Sequence, residues 1–384
     1  MIPWRNLERF FYKTLKQPVY AFRVFWRRSQ AYLYYLFGKG RSSYPEAITL
    51  FLTHRCNLQC RMCGQWGREG VTKKQGAQYI SRELSLQELK AIIDDVAFFR
   101  PNITLFGGEP LLYQGCIEII KYVKQKGIHC LIITNGYLLE ESAQDIVDSG
   151  LDELNVSLDG AADLHDRIRG MPGLFNKITW GLERINYFKT QRGKKKPLIN
   201  LQCTITQYNY KHLEQLTEVA ESLNADSLTY HNLIFINREI LQQQKEYDSL
   251  LGCASTEWEG FIFDSGIDPQ VLYEKIKEIT SRKYRFNVDF YPNFSHSELL
   301  GYYENPRFMP SGYAGRCLSP WLVVYIFPDA QVRPCLNNSY SYGSLQKDKF
   351  TEVWNNQQAV RLRRLVKEEG TFPICARCTE MYRY

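Results

Sequence analysis

From residue 47 onward the chain alternates short apolar runs with longer amphipathic ones. That alternation restricts its fold more than any other feature. The strand-like runs are AITLFLT (47–53), ITLFGG (103–108), HCLIITNG (129–136), ELNVSLDG (153–160), LINLQCTIT (198–206) and SLTYHNLIF (227–235). Helical patterns fill the gaps at 85–99, 115–127, 140–150, 175–190 and 210–223. Strands joined by crossovers of this length pair in parallel, so the expected class is α/β. Six such units over 45–235 predict a partial (β/α)6, TIM-like barrel with its functional residues at the C-terminal ends of the strands.

The flanking segments differ from this body. Residues 236–310 lose the rhythm and read as a connecting segment that covers the barrel mouth. Residues 311–384 hold a second group of cysteines, and residues 1–44 form an amphipathic arm. No internal repeat or low-complexity tract is found. The net charge is +7, but residues 1–42 carry nine Lys or Arg and one acid, a local charge of +8. The remaining 39 basic and 40 acidic residues nearly cancel, so no nucleic-acid partner is expected. The arm also contains twelve aromatic residues. Within it Phe22, Trp26, Leu33 and Phe37 recur at helical spacing beside Arg23 and Arg27. Such a helix suits either the headgroup layer of a membrane, or packing on the barrel surface or a partner. Its charges interrupt every apolar run well short of the ~20 residues needed to span a bilayer. No signal-peptide pattern follows the basic start. The expected location is the cytoplasm, with peripheral contact to the inner face of the membrane through residues 1–42.

Eleven cysteines fall into three groups. Cys116, Cys130, Cys203 and Cys253 are scattered among apolar neighbours and read as buried small hydrophobes. Cys56, Cys60 and Cys63 lie close together in THRCNLQCRMCGQWG, just after the first strand. Three thiols are an awkward number for disulfides and one short of a closed structural zinc site. They suit a metal centre with one position left open, an iron–sulfur cluster being the usual customer for such thiolates; a zinc loop is the alternative.

With FGGEP at the end of the second strand, this loop resembles the cluster motif of the radical S-adenosylmethionine (SAM) superfamily over roughly residues 47–235. The resemblance implies that Cys56, Cys60 and Cys63 hold a [4Fe–4S] cluster whose fourth iron binds SAM. Met62 stands where the family usually has an aromatic residue, and Trp66 is the nearby substitute. Gly107, Gly108, Glu109 and Pro110 match the element that binds the SAM amino group, the glycines allowing close backbone approach. Thr134 and Asn135 end the third strand. Ser157 and Asp159 end the fourth, near the position of the ribose and carboxylate. Arg169 corresponds to a carboxylate-binding arginine, with Arg167 as its rival. Gln202 lies on the fifth strand and His231 on the sixth, where His231 is either a substrate contact or proton acceptor, or a core histidine.

Cys317, Cys335, Cys375 and Cys378 complete the set, and four thiols suit either zinc or a fully ligated cluster. Their spacing resembles the SPASM domain and its shorter twitch form, implying one auxiliary [4Fe–4S] cluster. FPDAQVRPC resembles the hairpin before the second ligand, with Ala330 where glycine is usual. A cluster with no open iron suits electron transfer, which favours net oxidation of a small molecule or lipid-like precursor by dehydrogenation, desaturation or crosslinking. The family resemblance further implies a 5′-deoxyadenosyl radical from reductive SAM cleavage, and an electron donor such as flavodoxin or ferredoxin. A maturase of a ribosomally made peptide is the alternative function, and a non-catalytic iron–sulfur scaffold is the third.

Overall fold

The computed structural model describes residues 18–305, 307–311 and 315–384. Sequence predictions for residues 1–17 lie outside the described residues. A single ten-stranded sheet organises the chain, in the order β10-β9-β8-β1-β2-β3-β4-β5-β6-β7. Strands β1 (Ala47–Phe51), β2 (Asn102–Phe106), β3 (Cys130–Thr134), β4 (Glu153–Ser157), β5 (Leu198–Thr204) and β6 (Ser227–His231) coincide with the six sequence-read runs, β2 starting one residue earlier. They pair in parallel with sequential neighbours.

The six-unit reading stops one strand early. Asn287–Tyr291 forms β7, parallel to β6, inside the segment read as a connector. Its NVDFY sequence is too short and too mixed in polarity to stand out from the surrounding aromatic loops. On the other side β8 (Val323–Ile326) pairs in parallel with β1, and β9 (Gln331–Arg333) and β10 (Gly343–Ser344) continue the sheet antiparallel. The sheet is therefore open, with β7 and β10 at its edges, and the C-terminal block is continuous with it. Ala330, in the turn between β8 and β9, has φ +62°, the left-handed conformation that explains the usual glycine.

Alternation along the strands builds two faces. In β5 the residues Ile199, Leu201 and Cys203 are fully buried and enter the core. Their alternates form polar links across the sheet: Asn200 donates to Asn155 (2.9 Å) and Glu153 (3.0 Å), and Ser227 donates to Asn200 (2.8 Å). Helices such as Leu86–Val96 pack their apolar stripe on the core, that one opening with a reciprocal Ser85–Glu88 capping box. Cys116, Cys130 and Cys203 are buried as expected, and Cys253 half-buried.

The C-terminal block is also tied to the chain before β1. The fully buried Arg363 stacks on Trp354 at 4.1 Å and donates to Pro320 O (2.8 Å) and Asn355 Oδ1 (3.0 Å). Asn355 and Trp354 in turn donate to Ser42 O and Ser43 O.

Candidate active site and auxiliary cysteine site

The loop after β1 carries Cys56, Cys60 and Cys63, none of them in a disulfide. Its path is fixed by backbone contacts with neighbouring strand ends. Gly108 N donates to Thr53 O and Glu109 N to Arg55 O, each at 2.8 Å. A Cβ on Gly107 would lie 2.6 Å from Thr53 O, and one on Gly108 2.2 Å from Arg55 O. The cysteine loop itself therefore needs these glycines, a requirement that leaves no signal in either segment alone.

Each sulfur on this loop receives a donor. Leu58 N lies 3.5 Å from Cys56 Sγ and Trp66 N lies 3.3 Å from Cys63 Sγ. Asn135 Nδ2 reaches Cys56 Sγ at 3.9 Å, and Arg169 Nη1 reaches Cys60 Sγ at 3.7 Å. Burial pushes the Cys56 thiol up to about 12, and the Cys60 thiol up to about 11 against the pull of Arg169. Such buried thiols remain protonated near neutral pH unless a cation replaces the proton, which is what cluster iron does. The donor set, its N–H partners and its three-ligand count fit a [4Fe–4S] cluster with an open iron. Met62 is half-buried, while Trp66 is fixed by an indole N–H bond to His54 O at 2.8 Å.

Glu109 is fully buried and holds two strand ends together. Its carboxylate accepts from Thr134 Oγ1 (2.7 Å), Asn135 N (2.7 Å) and Leu111 N (3.1 Å). Burial pushes this carboxyl up to about 7 despite those three donors. Pro110 starts the short turn Pro110–Leu112 that Glu109 caps. Thr134 and Asn135, singled out as ends of the third strand, are therefore brought directly to Glu109.

A second buried unit joins β4 to β5. Arg169 Nε donates to Asp159 Oδ2 at 2.5 Å, and Asp159 Oδ1 accepts from Thr204 N at 2.8 Å. The Asp159 charge raises the Arg169 pKa against its burial, so this guanidinium stays charged beside Cys60. Arg167 has no such position; Arg169 takes it. Ser157 sits opposite Gln202 in the sheet register and is half-buried. Gln202 Oε1 is hydrogen-bonded to His231 Nε2, and the His231 ring lies edge-on to Tyr291 with centroids 5.7 Å apart. The Tyr291 hydroxyl donates to Thr379 O at 2.5 Å, one residue past Cys378.

Three contributors were not read from the sequence. Asn209 is buried and donates to Asp159 O (2.8 Å) and Thr204 O (2.9 Å). His165 Nδ1 accepts from Asp159 N at 3.0 Å. Tyr291 belongs to the strand that was missed. Asn209, a polar residue in a loop, resembles any turn former, and His165, on the helix Ala162–Arg169, resembles any core histidine, so neither gave a signal.

In the auxiliary group, burial and then the charges of Cys375, Cys335 and Cys378 push the Cys317 thiol well above its ordinary value. Cys335 is the exposed member of the four, and among the described residues no group of three or more ligating side chains is already closed around a metal position. Burial pushes Cys375 up to about 11 and Cys378 up to about 12. Phe372 N donates to Cys375 Sγ at 3.3 Å. By number and type, four such thiols fit a fully ligated cluster.

A three-thiol loop at the strand ends of an open, mostly parallel sheet, with four further cysteines beyond it, fits an iron–sulfur protein. The radical SAM superfamily model matches residues 50–187, and an iron–sulfur cluster-binding (SPASM) domain model matches residues 317–379. Residues 50–187 thus form a radical SAM domain and residues 317–379 a SPASM domain, which implies SAM and iron–sulfur clusters as cofactors.

Among its relatives, an Fe-coproporphyrin III synthase of Methanosarcina barkeri is 31% identical over 49% of this chain and 44% of its own length. An AdoMet-dependent heme synthase of the same organism is 33% identical over 49% of this chain and 50% of its own. The chain spans about half the length of these curated relatives. A tungsten-containing aldehyde ferredoxin oxidoreductase cofactor-modifying protein of Pyrococcus furiosus is 21% identical over 86% of both chains. In fold, Streptococcus suis SuiB bound to its precursor peptide SuiA matches with TM-score 0.60 at 16% identity, over 86% of this chain and 69% of that one.

Proposed function

We propose that this enzyme oxidises a small molecule by two electrons. The reductive cleavage of SAM at the Cys56, Cys60 and Cys63 site supplies a 5′-deoxyadenosyl radical that takes the first hydrogen atom. The observation that carries the reading is the chain of contacts Gln202–His231–Tyr291–Thr379, which links the inner strand ends to the loop of Cys378. Cys317, Cys335, Cys375 and Cys378 would hold a cluster able to take the second electron from the substrate once a hydrogen atom has gone to 5′-deoxyadenosine. His231 would take the accompanying proton, which leaves a C=O, C=C or new ring bond. Glu109, Asp159 and Arg169 orient SAM against the cysteine loop, together with Gly107, Gly108, Thr134, Asn135 and Ser157. A low-potential flavodoxin or ferredoxin supplies the priming electron.

Relatives named for heme synthesis and GTP cyclisation support a small-molecule substrate. The likeness to SuiB bound to SuiA favours peptide maturation as the second reading, through fold alone. The test is anaerobic: iron and sulfide are restored, dithionite and SAM are added, and 5′-deoxyadenosine is quantified with low-mass or peptide-sized cell fractions. Stimulation by the low-mass fraction supports the proposal. Stimulation by the peptide fraction alone transfers it to the maturase reading, and no deoxyadenosine with any fraction leaves the scaffold.

A further inference from the structure

The helix Pro18–Phe37 is turned the wrong way round for a surface helix. Ordinarily the apolar stripe faces the body and the polar face meets water. Here the inward contacts come from the small Ala21, Val24 and Ala31, with Arg28 paired to Glu46 at 2.8 Å and Tyr35 edge-on to Trp321 at 5.1 Å. The large apolar residues lie opposite. Phe22 is 71% exposed, Trp26 56%, Leu33 56% and Phe37 76%. At about 100° per residue these four fall within roughly 60° of one another on the outward face. Phe98, 62% exposed, extends the patch from the neighbouring turn.

Beside this stripe is a groove lined by Arg23, Trp26, Arg27, Gln30, Phe98 and Arg100. No acidic side chain pairs with Arg23, Arg27 or Arg100 among the described residues, in contrast to Arg28. Arg27 donates to Phe99 O at 2.8 Å, and burial, then the nearby Arg23 charge, disfavours its own charge. Two like charges at one place, with a third at Arg100, are relieved by an anion. None of the described helices is long and apolar enough to cross a membrane. Exposed aromatics flanked by unpaired arginines match the depth profile of a bilayer surface, where rings enter the acyl boundary and guanidinium groups meet phosphate.

We infer that the outward face of Pro18–Phe37, with Phe98 and the Arg23–Arg27–Arg100 groove, docks this enzyme on an anionic lipid bilayer. The helix lies in the plane of the headgroups, and the three arginines take lipid phosphate. Residues 18–42 carry five basic side chains and no acid, which gives the surface its electrostatic complement. The inference is independent of the substrate.

The test is flotation of the full reconstituted chain with vesicles of phosphatidylcholine, or of phosphatidylcholine with 30% phosphatidylglycerol (about 30 mol% is a workable anionic content). The chain is expected to float with the anionic vesicles and to be released as salt rises. Replacing Arg23, Arg27 and Arg100 by Gln should weaken anionic binding on the order of 100-fold, at roughly fivefold per basic residue near the surface. Phe22→Ser with Leu33→Ser should abolish flotation while leaving deoxyadenosine formation and iron content unchanged. Trp26→Phe should still float but lose its share of quenching by brominated lipid, which places the helix face in the bilayer without a disruptive change. Absence of flotation with anionic vesicles overturns the inference, as does flotation that neither set of substitutions alters. A lipid-free dimer that Phe22→Ser and Leu33→Ser convert to monomer, without flotation, assigns the face to a second copy instead.

Discussion

The two cysteine sites hold similar ligands in different surroundings. At Cys56, Cys60 and Cys63 the sulfurs receive side-chain donors from other strand ends, Asn135 from the β3 end and Arg169 beyond β4. At Cys317, Cys335, Cys375 and Cys378 the sulfurs receive backbone N–H groups, such as Phe372 N and Ser319 N. The first site is thereby coupled to the strand ends that hold Glu109 and Asp159. The loop of the second touches the inner sheet through Tyr291 and Thr379. In the proposed reading the first site reacts and the second exchanges electrons.

The strongest way to separate them is to remove the second alone. Replacing Cys375 and Cys378 by Ala should cut substrate oxidation by more than about 100-fold while deoxyadenosine formation persists, because differential loss marks a step after radical generation. Chromatographic quantification of deoxyadenosine and product in one reaction checks it; equal loss of both would merge the two sites into one function.

A smaller effect is expected from the buried ion pair. Arg169→Ala leaves the Asp159 carboxylate buried without its partner, and breaking such a pair costs roughly 3–5 kcal/mol. Denaturant unfolding should report that loss, and SAM binding should weaken while the auxiliary cluster remains in the iron count. Unchanged SAM affinity would confine Arg169 to a structural role.

The smallest effect lies at the opposite ends of the strands and serves as a control for both sites. Asp152 accepts from Cys130 N at 2.9 Å and pairs with Lys124 and Lys196. Burial works against its charge, but His129, Lys124, Lys196 and the Cys130 N–H outweigh it and hold the carboxyl below its ordinary value. A folded pKa below the unfolded one gives stability that is present above about pH 4 and is lost as pH falls through the folded value. Asp152→Asn should therefore cost about 1–3 kcal/mol at pH 7, and the gap to the parent should narrow below pH 4. Thermal unfolding across pH measures this, and both clusters should be retained.

The chemistry of both sites was legible because it depends on local spacing. Three cysteines within eight residues, GGEP after a strand, and the C-terminal CxxC are short patterns whose residue types have few other uses. Ala330 shows the same legibility in the backbone, since a position that resembles a glycine site carries a left-handed φ. What stayed hidden depends on distant pairing. The strand β8 lies beside β1 although some 270 residues separate them. β7 is a short strand among aromatic loops, and Tyr291 acquires its meaning only once Thr379 is folded against it. Glu109 reads as a ligand contact in sequence, but Thr134 and Asn135 also make it a clamp between strands.

The most direct test of the difference between the sites is electron paramagnetic resonance of the dithionite-reduced protein with and without SAM. It compares the variant lacking Cys375 and Cys378 with the variant in which Cys56, Cys60 and Cys63 are Ala. The account predicts that SAM reshapes the cluster signal of the first variant and leaves that of the second unchanged. A SAM-induced change in the second, or none in the first, would contradict it.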